Sequence, residues 1–177
     1  MDQSEIDKAT RSHKPDHSAF HNVYTYYGFA GYWAQIFELA MLNVVAAIRL
    51  ADMPSIDKDT YQGAFRNLNR KTLGMLLNNC RVAKHINIPE KDERLLQEAL
   101  EKRNSLTHRF FSVHNAELSE NEAIVVNELR EISALFASAQ QVAQSVYASI
   151  MVALDIDEEL ILEEGLAWEN VILKESD

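Results

Sequence analysis

The chain has 177 residues, 47% of them apolar, which is enough for one domain with a buried core and excludes disorder throughout. It carries a formal net charge of −10, 5 Gly, 3 Pro and a single cysteine, Cys80. One thiol excludes an internal disulfide framework, and the missing glycines between Gly74 and Gly165 argue against a turn-rich β-protein. An all-α fold follows, a four- to five-helix up-down bundle with short connections.

Residues 1–24 read as a mobile polar segment, residues 25–155 as the helical bundle, and residues 156–177 as an acidic tail with room for a short helix. The opening residues lack the basic-then-apolar pattern of a signal peptide. His13, His17 and His21 recur at intervals of four, a spacing that would put three imidazoles on one helix face. No carboxylate or cysteine completes a ligand set, so no metal and no cofactor is expected.

The first strong helix is expected over Thr25 to Asp52. Phe29, Trp33, Ile36, Phe37, Ala40, Val44, Ala47, Ile48 and Ala51 recur at helical spacing, while Leu39, Leu42 and Val45 fill the other sides. A helix apolar nearly all round belongs at the centre of a bundle or in an oligomer interface. Glu38, Arg49, Gln35 and Asn43 interrupt the run, which favours a buried helix over a membrane span and a cytoplasmic setting.

A second helix is expected from Thr60 to Ala83, with Tyr61, Phe65, Leu68, Thr72, Met75, Leu76 and Cys80 as its stripe and Arg66, Arg70 and Lys71 on another side. Cys80 in that stripe reads as a packing residue. Pro89 opens a third helix, followed by Glu90, Asp92 and Glu93 in the turn where acids suit the helix dipole. This helix is expected to reach Val113. Ser119-Glu120-Asn121-Glu122 reads as a capping box for a long fourth helix ending near Leu154.

Charge is distributed unevenly. Residues 1–59 are net −3, residues 60–114 net +5 and residues 115–177 net −12. The basic third holds the most informative string, Arg103-Asn104-Ser105-Leu106-Thr107-His108. On a helical wheel Leu95, Leu96, Ala99, Leu100, Leu106, Phe110, Phe111 and Val113 form one arc, and Arg103 falls near its middle. His108 lies at the edge, roughly 140° away, with Asn104 beside it. A guanidinium on an apolar face must be paired, escape to solvent or line a cleft, and Glu38 is a candidate partner.

The string from Glu101 to Phe111 resembles the signature of the HEPN superfamily: Arg, a polar residue that is often Asn, three further residues, then His. The resemblance implies a helical bundle that dimerises with its motif helices facing each other across a two-fold axis. It further implies metal-independent endoribonuclease chemistry, with Arg103 and His108 as the catalytic pair and Asn104 as an auxiliary polar group. A homodimer and RNA are then the expected partners, together with an antitoxin or regulatory protein if the chain serves as a toxin or in phage defence. The alternative under the same resemblance is a non-catalytic interaction module. A nucleotide-binding pocket between helices is a third reading, without a Gly-rich phosphate loop to support it.

Overall fold

The computed structural model describes residues 17–56, 58–83, 87–115, 118 and 121–156. Most of the expected tail, and His13, lie outside these residues. The protein is all-α: six α-helices and one 3-10 turn, with no strand among the described residues. They are α1 (His17–Ala51), α2 (Lys58–Phe65), the 3-10 turn (Leu68–Arg70), α3 (Leu73–Val82), α4 (Glu90–His108), α5 (Phe110–Val113) and α6 (Glu122–Ala153).

Helix α1 begins at His17 rather than Thr25, so the chain is helical well before its apolar periodicity starts. Its inward face is made of Val23, Ala30, Ala34, Phe37, Ala40, Met41, Val44, Val45, Ala47 and Leu50, and it packs most extensively on α6. Small residues on both helices let the backbones approach. Phe37 and Phe136 stack between them with ring centroids 6.5 Å apart. Among the described residues one helical stretch, His21–Ala51, is long and apolar enough to cross a membrane, and 56% of its most apolar window is buried inside the bundle. Arg49 is satisfied there: Nη1 donates to the carbonyls of Ala64 at 2.7 Å and Arg66 at 3.1 Å, capping the C-terminal end of α2.

The expected second helix is three pieces. Asn67 adopts a left-handed conformation, φ 64°, which ends α2, and Thr72 caps α3 by accepting from the Met75 amide at 3.3 Å. The stripe read across this break therefore loses phase. Tyr61, Leu68, Leu76 and Cys80 are buried, whereas Thr72 and Met75 are exposed, and Leu73 and Leu77 take core positions instead. Burial pushes the Cys80 thiol up to about 11, against a smaller opposing effect of a backbone hydrogen bond, in keeping with a packing role.

The break also alters the topology. Tyr27 meets Leu106 while Glu38 meets Arg103, so α4 runs antiparallel to α1. Tyr26 meets Arg130 while Phe37 meets Phe136, so α1 and α6 run parallel. An up-down alternation of four full-length helices would make the first and fourth antiparallel. Here α2, the 3-10 turn and α3 are too short to form a full return pass, and α4 is the long helix that makes it.

Helix α6 starts after Asn121, whose side chain makes no capping hydrogen bond, and Ser119 lies outside the described residues. A charged ladder secures α4 to its neighbours. Arg81 of α3 pairs with Glu93 at 2.6 Å and donates to Gln97 at 3.0 Å, and Lys102 reaches Glu128 of α6 at 3.5 Å.

Candidate functional site

Helix α4 owes its start to Pro89 and to the acidic first turn that follows. Its inner face buries Leu96, Ala99 and Leu106. Arg103 shares that side of the helix, and α1 supplies the answer to its charge: Nη2 donates to Glu38 Oε2 at 3.0 Å. Both side chains are only partly covered, 26% accessible for Arg103 and 27% for Glu38. Arg103 Nη1 also lies 3.4 Å from Asn104 Oδ1, a weak second contact that turns the guanidinium toward the exposed amide. Among the described residues the guanidinium makes no other side-chain hydrogen bond.

His108 is the last residue of α4 and is exposed. No hydrogen bond or ion pair joins it to Arg103 among the described residues. The two lie roughly 140° and 7–8 Å apart along the helix, at ~100° and ~1.5 Å per residue. The structure therefore brings together Arg103, Asn104 and Glu38, and leaves His108 at the rim. Thr107, also exposed, turns its hydroxyl back to the Arg103 carbonyl at 3.0 Å.

The helix does not continue to Val113. Arg109, at φ −133° and ψ −10°, ends α4 and re-aims the chain into α5. The wheel phase resets at that point. Phe110 is buried as expected, but Phe111 and Val113 are exposed at 40% and 64%. Tyr27 braces this corner: its hydroxyl donates to the Leu106 carbonyl at 3.2 Å and its ring packs on Phe110 and Phe111, centroids 5.3 and 4.8 Å away. Tyr24 reaches Phe111 at 6.0 Å.

A second histidine sits close by in a different environment. His114 is buried, its ring lies 4.6 Å from Phe110, and Nε2 is 3.2 Å from Glu128 Oε2. Glu128 thus joins His114 and Lys102, tying α4 and the corner to α6. Sequence reasoning passed over His114, Glu128 and Tyr27. The i,i+4 spacing of Phe110 and His114 was a weak signal, and nothing local in the sequence pointed from Tyr27 to the motif. Of the two histidines, His108 is exposed at the end of α4 and His114 is buried against Phe110 and Glu128.

Of the basic residues in 60–114, Lys102 and Arg109 flank this site and Arg66 lies away from it. Arg66 lies by Arg49, roughly 16 Å further along α1 than Glu38 at ~1.5 Å per residue. Among the described residues no group of three His, Cys, Asp or Glu is placed to hold a metal ion. His21 is exposed, and the side chain of His17 is outside the described set, as is His13.

The outer face of α1 beside the corner is unusual. Tyr24, Phe29, Tyr32 and Leu39 are each at least half exposed, so Phe29 leaves the stripe its spacing suggests, and Leu39, read on another side of the helix, is uncovered too. No exposed residue of α1 from Asn22 to Asn43 carries a formal charge. Gly28 and Gly31 lie along the same stretch, with nothing within 4 Å of where a Cβ would sit.

Comparison of the chain with family models, curated proteins and solved structures gives no match.

Proposed function

We propose that the chain is a HEPN-type, metal-independent endoribonuclease whose active site is assembled from Arg103 and His108 of two copies. The observation that carries this reading is the placement of Arg103. Glu38 holds its guanidinium at a partly open position next to exposed Asn104, one face of the helix away from exposed His108.

Cleavage of RNA without a metal needs three things. A base takes the 2′-hydroxyl proton as that oxygen attacks phosphorus. An acid gives a proton to the 5′-oxygen as the P–O5′ bond breaks. A positive charge stabilises the pentacoordinate phosphate between the two events. Imidazole serves as base or acid, and guanidinium is suited to paired phosphate oxygens. Among the described residues α4 ends in one exposed histidine, so a two-fold pair of α4 ends supplies both proton-transfer groups.

The uncovered face of α1 supports the pairing. Aromatic side chains bury ~150–250 Å² each, so the exposed portions of Tyr24, Phe29, Tyr32 and Phe111, with Leu39, come to on the order of 500 Å². That approaches the ~800 Å² that each partner of a standard interface contributes, before any polar rim is counted. The occupant is a second copy. The face is free of charge, its glycine notches alternate with tyrosine and phenylalanine knobs, and it runs into the Arg103–His108 corner through the Tyr24–Phe111 contact. An isologous contact lets each copy's knobs enter the other's notches.

The non-catalytic reading has one observation behind it: an Arg–Glu pair joining two helices also serves as a structural clamp. Incubation of purified protein with end-labelled RNAs in EDTA separates the two. The ribonuclease reading expects fragments with 2′,3′-cyclic phosphate and 5′-hydroxyl ends. Protein inert toward a broad RNA panel, or active only with added divalent metal, contradicts it.

A further inference from the structure

The periodicity of α4 and the course of the chain part company at Arg109. Ala99 and Leu106 are buried seven residues apart, and an unbroken helix would carry Val113, seven further on, to the same face. Val113 is instead 64% exposed. The bend also gives up ladder hydrogen bonds. The Arg109 amide still donates to the Ser105 carbonyl at 2.9 Å, and the ladder resumes where the Val113 amide donates to the Arg109 carbonyl at 3.0 Å. Between them, the amides of Phe110 and Ser112 make no backbone bond to the carbonyls of Leu106 and His108, and no side chain caps the start of α5. Local pattern and tertiary structure conflict here, and such conflicts gather at functional sites.

Tyr27 makes good part of what the bend gives up. Its hydroxyl donates to the Leu106 carbonyl at 3.2 Å, the acceptor that the Phe110 amide would use in a continuous helix. Its ring and that of Tyr24 take up Phe111, with centroids 4.8 and 6.0 Å away. The consequence falls on His108. Side chains on a helix lean toward its N-terminus, over the residues three and four positions earlier. In an unbroken helix Phe111 would therefore lie over Thr107 and His108, both of which are exposed in the bent form.

We propose that Tyr27 is a positioning residue: it holds the chain bent at Arg109 and draws Phe111 onto α1, which keeps the His108 imidazole open to RNA. The closed alternative is a straight helix with Val113 turned inward and Phe111 over His108. The straight form regains ladder bonds and covers Val113, while the bent form has the Tyr27 hydroxyl bond and the Tyr24–Phe111–Tyr27 ring contacts. Loss of one neutral hydrogen bond shifts such a balance by about threefold to tenfold. The role of Tyr27 in cleavage rests on the ribonuclease reading, while the dependence of the bend on its hydroxyl does not.

Tyr27→Phe keeps the ring and removes the hydroxyl. Amide hydrogen exchange followed by NMR is expected to slow about threefold to tenfold at Phe110 and Ser112, as both amides gain helical acceptors. In the EDTA assay kcat is expected to fall by about the same factor with KM unchanged, because Arg103 and Asn104 stand on the part of α4 that both forms share. Val113→Lys supplies the counter-test. The lysine is exposed in the bent form and buried in the straight one, so adding it to Tyr27→Phe is expected to recover wild-type exchange and kcat. Unchanged exchange at Phe110 and Ser112 in Tyr27→Phe, or a loss of kcat that Val113→Lys does not restore, would overturn the proposal. An exchange response in a protein that does not cleave RNA would leave the bend's dependence on Tyr27 standing and remove the ribonuclease reading. Wild-type cleavage that is indifferent to Tyr27→Phe would remove the positioning role and leave the ribonuclease reading.

Discussion

Replacing Tyr32 and Leu39 together by lysine is expected to yield a folded monomer that has lost RNA cleavage, although neither residue approaches Arg103 or His108 in sequence. Both side chains are more than half exposed, so the substitutions remove little from the protomer's own core. In a dimer they would place up to four ammonium groups in one apolar contact. Desolvating even one without a partner costs several kcal/mol, more than an interface of this size leaves in surplus. Sedimentation measures the mass, circular dichroism confirms that the helices persist, and the EDTA assay reads activity. A loss of about 10²-fold or more in cleavage is expected, because a lone corner keeps its phosphate clamp but lacks one of two proton-transfer groups. A variant that stays dimeric, or a monomer that cleaves at the wild-type rate, removes this face from the account.

The second large effect concerns Arg103 and its partner. Arg103→Ala is expected to lower cleavage by about 10²–10³-fold, the range found when a single donor to a developing oxyanion is removed. It should also cost about 1–3 kcal/mol of stability by stranding the half-buried Glu38 carboxylate. Arg103→Ala combined with Glu38→Ala removes both partners, so urea denaturation is expected to show much of that stability restored while cleavage stays lost. The double variant separates the two roles of the arginine. If activity returns with stability, Arg103 is a clamp and the interaction-module reading replaces the catalytic one. Arg103→Lys keeps the charge but not the planar fork, and an intermediate rate is expected.

Much of the candidate site was legible because one rule, that a charge on an apolar helix face needs a partner, led from Arg103 to Glu38 across a large sequence separation. Pro89 and the acids after it likewise placed the start of α4. What escaped was every change of helical phase. Asn67 in a left-handed conformation splits the expected second helix, and the unusual backbone at Arg109 ends the expected third one, α4, early. Periodicity carries no information across such points, which is why Thr72, Met75, Phe111 and Val113 were assigned to faces they do not occupy. Phe29 and Leu39 escaped for another reason. A helix apolar on all sides does not say which side the chain itself will cover, and here the outer face of its N-terminal half is left open. The meeting of Tyr26 with Arg130 was invisible for a third: the two residues stand on helices far apart in sequence, and only the packing of α1 on α6 brings them together.

The claim on which the rest depends is that one active site draws on two copies of His108. Co-expression of wild-type and His108→Ala chains with different affinity tags gives a heterodimer that can be isolated and assayed for RNA cleavage in EDTA. The composite site predicts a heterodimer slower than the wild-type homodimer by about 10²-fold or more, since either acid or base is missing from the shared centre. A heterodimer with half the wild-type activity would mean that each protomer cleaves by itself, and would contradict the account.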